Sequence, residues 1–162
     1  MRRQFPNLHW YSETSDPTPR YNCHAWAADV NGVWWEPARP DEHPHFPWLC
    51  IYWPRGLRLY DSSLENFRQA HRSVGFEVCS DGSMEPGYEK IAHYAIGDSV
   101  RHTARQLPWG TWTSKLGTSI DIEHGDPHAL EGPEYGQVVS YMRRETQSRH
   151  VPPASNLLFA KP

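Results

Sequence analysis

The stretch YEKIAHYAIGDSVRHTARQLPWGTWTSKL, residues 88–116, decides the fold. Its β-branched, aromatic and small residues predict strands over Tyr88–Ile96, Ser99–Leu107 and Thr111–Leu116, with Pro108-Trp109-Gly110 turning between the last two. Side chains alternate along a strand. Val100, His102, Ala104 and Gln106 therefore share one face of the middle strand, and Arg101, Thr103, Arg105 and Leu107 the other. The first set is small and partly apolar and the second largely charged, so His102 is expected to point inward. If the turn pairs Leu107 with Thr111, Ala104 faces Ser114 and His102 faces Leu116. Ser114 is then a diagonal neighbour of His102, while Lys115 falls on the outward face as a surface salt-bridge partner.

Upstream, Asn22-Cys23-His24-Ala25-Trp26-Ala27-Ala28-Asp29-Val30 reads as a short helix, with Asn22 as its cap and Asn31-Gly32 as its stop. Residues 1–21 read as a Pro-punctuated arm ending in a short strand. Residues 33–58 form a Trp/Pro loop with a brief strand at Leu49–Tyr52. A second helix starts at Asp61-Ser62-Ser63-Leu64-Glu65, with Ser62 as cap and Glu65 as its capping-box partner. It carries Leu64, Phe67, His71 and Val74 and ends at Gly75, and a strand follows over Phe76–Cys79. Downstream, Glu134–Arg144 reads as a last short helix and Gln147–Pro162 as loop. The expected class is α+β, a short N-terminal helix carrying Cys23 packed on an antiparallel sheet, in one domain over residues 1–162.

The chain has 162 residues and a formal charge of -3. Its pI near 6.3 lacks the basic excess of a general nucleic-acid binder. No apolar run has the length of a transmembrane helix, and no apolar segment of the secretory type follows Met1-Arg2-Arg3, so the expected compartment is the cytoplasm. Cys23, Cys50 and Cys79 form neither a disulfide framework nor a CxxC pair. Cys50 and Cys79 are expected to be buried and inert. Eight Trp and 15 Pro predict ordered loops pinned by aromatic packing.

The chemistry centres on Cys23. A thiolate is the reactive form of cysteine, and free N–H groups at a helix start favour it. The same amides, at Asn22 and Cys23, can hold an oxyanion. His102, polar on an inward face, is the candidate base. Its orienting partner is Ser114 by strand geometry or Asp121 by charge. Cys23 and His102 are expected within hydrogen-bond reach, and Cys23 is expected to alkylate faster than Cys50 or Cys79.

Cys23-His24-Ala25-Trp26-Ala27 resembles the Cys-aromatic-Ala-aromatic opening of the catalytic helix in papain-like enzymes. Trp112-Thr113-Ser114-Lys115-Leu116-Gly117 resembles the strand on which those enzymes carry their orienting Asn. The cell-wall amidases of the same clan keep the His and the orienting residue about one short hairpin apart, as His102 and Ser114 are here. The sequence departs from that pattern in two places. The Gln upstream of the Cys is absent, leaving Asn22 or main-chain amides, and Ser114 stands at the Asn position. More closely, the chain resembles a bacterial domain family of unassigned substrate. Its marks are Tyr21-Asn22-Cys23-His24-Ala25-Trp26-Ala27, Lys90-Ile91-Ala92, His102-Thr103-Ala104-Arg105-Gln106, Trp112 to Gly117, Asp121-Ile122-Glu123-His124 and Leu130-Glu131-Gly132.

These resemblances imply a papain-like fold and a cysteine-dependent hydrolase or acyltransferase acting on an amide bond, whether as peptidase, deamidase or amidase. The substrate would be protein or peptide-like, with no cofactor, no nucleic acid and no membrane partner. The alternative is a non-catalytic, Trp-rich module that binds peptide or sugar. Two His patterns raise a metal site, His43-Pro44-His45 and His124-Gly125-Asp126-Pro127-His128. Gly125 and Pro127 argue against a helical His pair in the second, and no metal is expected.

Overall fold

The computed structural model describes residues 3–43, 46 and 48–146. Its elements, in chain order, are β1 (Tyr11–Glu13), α1 (Cys23–Ala27), β2 (Trp34–Trp35), β3 (Ile51–Tyr52), α2 (Leu64–Arg72), β4 (Glu77–Cys79), β5 (Tyr88–Ile96), β6 (Ser99–Gln106), β7 (Trp112–Lys115), β8 (Asp121–His124) and β9 (Gln137–Glu145). A 3-10 turn, Pro127–Leu130, lies between β8 and β9. Seven strands form one antiparallel sheet in the order β1-β8-β7-β6-β5-β9-β4, and β2 and β3 pair separately in parallel. The three strands of the opening stretch form, and the last two pair in the expected register as far as Arg105 and Thr113, short of the expected pairs Ala104–Ser114 and His102–Leu116. Leu107 N–H donates to the Thr111 carbonyl at 2.7 Å, and Arg105 and Gln106 pair with Thr113 and Trp112.

The α+β, papain-like expectation is overturned. Among the described residues 33% are strand and 13% helical, so the framework is a large antiparallel sheet. α1 spans five residues and α2 nine. The main reason lies at the C-terminal end, where the segment read as a helix is β9. It is paired with β5 along its length and with β4 on its other edge. Ladder bonds on both sides outweigh the modest helix preference of its Glu and Arg residues. Just before β9, Gly132 and Gly136 exchange two main-chain hydrogen bonds, of 3.0 and 2.7 Å, closing a tight loop where the helix was expected to begin. The cap of α2 is also one residue later than expected, with Ser63 Oγ accepting from Asn66 N–H.

Both faces of the sheet are covered. One carries Phe5, Leu8, Ala92, Tyr94, Ala104, Trp112, Ile122 and Leu130. The other carries Ile91 and Met142 with Ala27 and Phe76, and lies beneath α1 and α2. Several of the residues expected outward on β6 and β7 are therefore not solvated, although Arg101 is exposed. Thr103 and Lys115 are fully buried. A further difference is local. Tyr94 pairs with His102 but Ala95 pairs with Val100, so Arg101 is an extra residue in β6. Such a bulge re-aims side chains, and Val100 and His102 no longer share one face. No helix of the described residues is long and apolar enough to cross a membrane.

Candidate active site

Asn22 builds the start of the site. Its Oδ1 accepts from the N–H groups of Ala25 and Trp35, both at 3.1 Å, and its Nδ2 donates to the Trp35 carbonyl at 2.7 Å. One buried side chain thus caps α1 and ties it to β2. Cys23 is the first residue of the helix. α1 is held to the sheet by three contacts. His24 Nδ1 lies 2.8 Å from Thr103 Oγ1, Trp26 Nε1 donates to Thr113 Oγ1 at 3.1 Å, and the Arg105 guanidinium stacks over the Trp26 ring.

The β6–β7 ladder stops at Arg105 and Thr113, and the strands then part. Leu107 N–H points at β7. Main-chain amides alternate sides along a strand, so those of Arg105 and Thr103 point the same way. The Thr103 amide therefore faces the gap, and with the amides of His24 and of Cys23 itself it favours the charged form of the Cys23 thiol.

His102, the residue before Thr103, projects from the opposite face and is fully buried. Its Nε2 lies 3.0 Å from Ser114 Oγ, which lies 3.0 Å from His124 Nε2, and His124 Nδ1 lies 2.9 Å from the Asp126 main-chain oxygen. The Tyr135 ring stacks on the His102 ring at 4.1 Å and 4°. His102 Nδ1 is buried with no hydrogen-bond partner. The expected direct bond between Cys23 and His102 is thus not made in this structure. Tyr135 also lines a cleft of about 440 Å³ with Cys23, Trp34, Glu36, Phe67 and Arg101.

Residues 12–143 match the family model of a domain of unknown function, DUF7689. The chain belongs to the DUF7689 family. The matched span holds Asn22, Cys23, His102, Ser114, His124 and Tyr135, so the whole constellation lies within the DUF7689 domain. No curated protein and no solved structure matches the chain.

The electrostatics of this DUF7689 site differ from those expected for an exposed helix start. Burial pushes the Cys23 thiol up to about 12; the surrounding amides oppose this and the nearby Glu36 carboxylate adds to it. A five-residue helix has too few aligned peptides to outweigh that burial. His102 is held well below its ordinary value by burial first, then by the neighbouring His24 and His124. His124 is lowered to about 4, mainly by burial. Cys and His therefore rest as a neutral pair.

Of the residues expected at the site, His102 and Ser114 meet at 3.0 Å on one face of the sheet, and Cys23 starts α1 on the other. Asn22 adjoins Cys23, but its side chain is committed to Ala25 and Trp35 and is not free to hold an oxyanion. Asp121 lies on the other face, where it accepts from the Tyr21 hydroxyl at 2.6 Å and pairs with Lys115 at 4.0 Å. It does not touch His102. Lys115, expected at the surface, is buried and also donates to the Ser119 carbonyl. Cys50 is exposed and Cys79 half-buried, contrary to the expectation that both are interior. His45 lies outside the described residues. His124 and Tyr135 were missed as site residues. The alternation of Asp121-Ile122-Glu123-His124 marks a strand whose last residue returns to the Ser114 face, but only the pairing of β8 with β7 makes that legible.

Proposed function

We propose that this protein is a cysteine-dependent hydrolase or acyltransferase acting on amide bonds, with Cys23 as nucleophile and His102 as base. The observation that carries the reading is the split between β6 and β7. The Thr103 amide, one of the main-chain amides that favour the Cys23 thiolate, points into it, while the adjoining residue, His102, keeps a buried ring nitrogen without a partner. A resting thiol fits a mechanism in which deprotonation accompanies attack. His102 Nδ1 takes the thiol proton as Sγ adds to the amide carbonyl carbon. The main-chain amides of Cys23, His24 and Thr103 favour the sulfur's negative charge as it forms. His102 then returns the proton to the leaving amine, giving a thioester that water or an acceptor amine resolves. The aromatic walls of the cleft suit a peptide-like substrate.

p-Nitrophenyl acetate tests the reading. The protein is expected to release nitrophenol in a burst and to carry the acetyl group on Cys23 by mass spectrometry. Cys23→Ala should abolish the burst, and His102→Gln should slow it by roughly a hundredfold or more. Acetylation confined to Cys50 would sink the enzyme reading.

One observation favours a second reading. The thiol is protonated and unbonded to His102, and its cleft is walled by Trp34, Phe67 and Tyr135, as in a binding module for an extended peptide or sugar. On that reading a ligand would bind equally well to the Cys23→Ala protein and leave unchanged.

A further inference from the structure

Ser114 Oγ stands 3.0 Å from two imidazole nitrogens, His102 Nε2 on β6 and His124 Nε2 on β8. A hydroxyl has one proton, so it donates to one ring and accepts from the other. The far end of the chain decides which. His124 Nδ1 is 2.9 Å from the main-chain oxygen of Asp126. A carbonyl oxygen only accepts, so His124 Nδ1 carries the proton. A neutral imidazole has one N–H, and burial keeps His124 neutral above about pH 4. Its Nε2 is therefore bare and accepts the Ser114 hydroxyl proton. Ser114 Oγ must then accept from His102 Nε2–H. His102 is neutral as well, so its remaining lone pair lies at Nδ1, the buried atom with no partner.

We infer that His124 is a positioning residue that sets the tautomer of His102 through Ser114, so that the free lone pair of His102 is at Nδ1. Tyr135 holds the plane of the His102 ring by stacking, but stacking does not distinguish one ring nitrogen from the other. Only a chain of hydrogen bonds with a fixed end can do that, and the Asp126 carbonyl is the fixed end. The consequence for catalysis rests on the reading of His102 as the base. The proton order itself follows from the contacts and from the neutrality of the two buried rings. With an apolar ring at position 124, the Ser114 proton has no acceptor except His102 Nε2. His102 would then carry its proton at Nδ1 and have no lone pair there to offer.

Long-range proton–nitrogen NMR on the 15N-labelled full chain reads the tautomer of each histidine directly. In the native protein His102 is expected as the Nε2–H form and His124 as the Nδ1–H form. His124→Phe should move the His102 proton to Nδ1. His124→Gln, whose carbonyl can accept from Ser114, should restore Nε2–H. In Ser114→Ala the His102 tautomer should no longer respond to position 124. Acetylation of Cys23 by p-nitrophenyl acetate should fall on the order of tenfold in His124→Phe and recover in His124→Gln. A native His102 in the Nδ1–H form, or an unchanged tautomer in His124→Phe, overturns the inference. If His124→Phe does not fold, the native spectrum and the His124→Gln spectrum still decide it. The expected tautomers in a protein that never acetylates Cys23 would leave this proton order standing and remove the hydrolase reading instead.

Discussion

Cys23 keeps its proton at neutral pH because burial outweighs the amides around the sulfur. In the protein without substrate, brief iodoacetamide treatment at pH 7 is therefore expected to label exposed Cys50 first, half-buried Cys79 next and Cys23 last. Peptide mapping by mass spectrometry gives the order, and Cys23 labelling first would mean a thiolate in the resting site. The two candidates for orienting His102 separate on stability. Asp121→Ala leaves Lys115 as a buried cation without its counter-ion and should cost about 3–5 kcal/mol in urea unfolding. Ser114→Ala should cost about 1–2 kcal/mol while slowing Cys23 acetylation. The place of Cys23 at a helix start and the closeness of Ser114 to His102 are legible in the sequence because a helix cap and strand alternation are local signals. Asp121 was misassigned because charge says nothing about which face a residue occupies, and its pairing opposite Lys115 puts it on the face of α1.

At the level of elements, β5, β6 and β7 were readable from alternation and a Pro-Trp-Gly turn. The bulge at Arg101 was not, since it arises where β6 meets a partner and leaves no mark in its own sequence. β9 was misread for a related reason. Its residues suit a helix in isolation, and only pairing on both edges makes them a strand. The loop that launches it gives the sharpest test of that geometry. Gly136 has φ +80, and a Cβ there would sit 2.0 Å from the Ala95 carbonyl oxygen. Gly136→Ala should therefore destabilise the protein by about 3 kcal/mol or more, combining left-handed strain with a main-chain clash. Gly32 has nothing within 4 Å of the equivalent position, so Gly32→Ala should stay within about 0.5 kcal/mol of the native protein. Equal effects at the two positions in thermal unfolding would contradict the way β9 is launched against β5.

Across the whole molecule, His24, His71, His93, His102 and His124 are all buried, and burial lowers each of them. His24 falls to about 3, and His71 and His124 to about 4. In the unfolded chain these rings titrate near their ordinary value of about 6.5. Above that pH they are neutral in both states and contribute no pH dependence. Below it the unfolded chain binds protons that the folded protein refuses, so stability falls as pH falls. The loss is about 1.4 kcal/mol per pH unit for each ring. For five rings it reaches roughly 10 kcal/mol by pH 5, comparable to the whole stability of an ordinary domain. Urea unfolding midpoints should therefore be nearly flat above about pH 7.5, begin to fall towards pH 6.5 and drop steeply towards pH 5. A midpoint unchanged down to pH 5 would mean that the rings are not buried in their neutral form. The same linkage fixes the acid limit of any Cys23 reaction. Acid cannot charge His102 in the resting folded protein before the fold itself gives way, so activity and far-ultraviolet dichroism should be lost together as the solution is acidified. Activity lost at a pH where the dichroism is intact would instead identify titration of a group at the site.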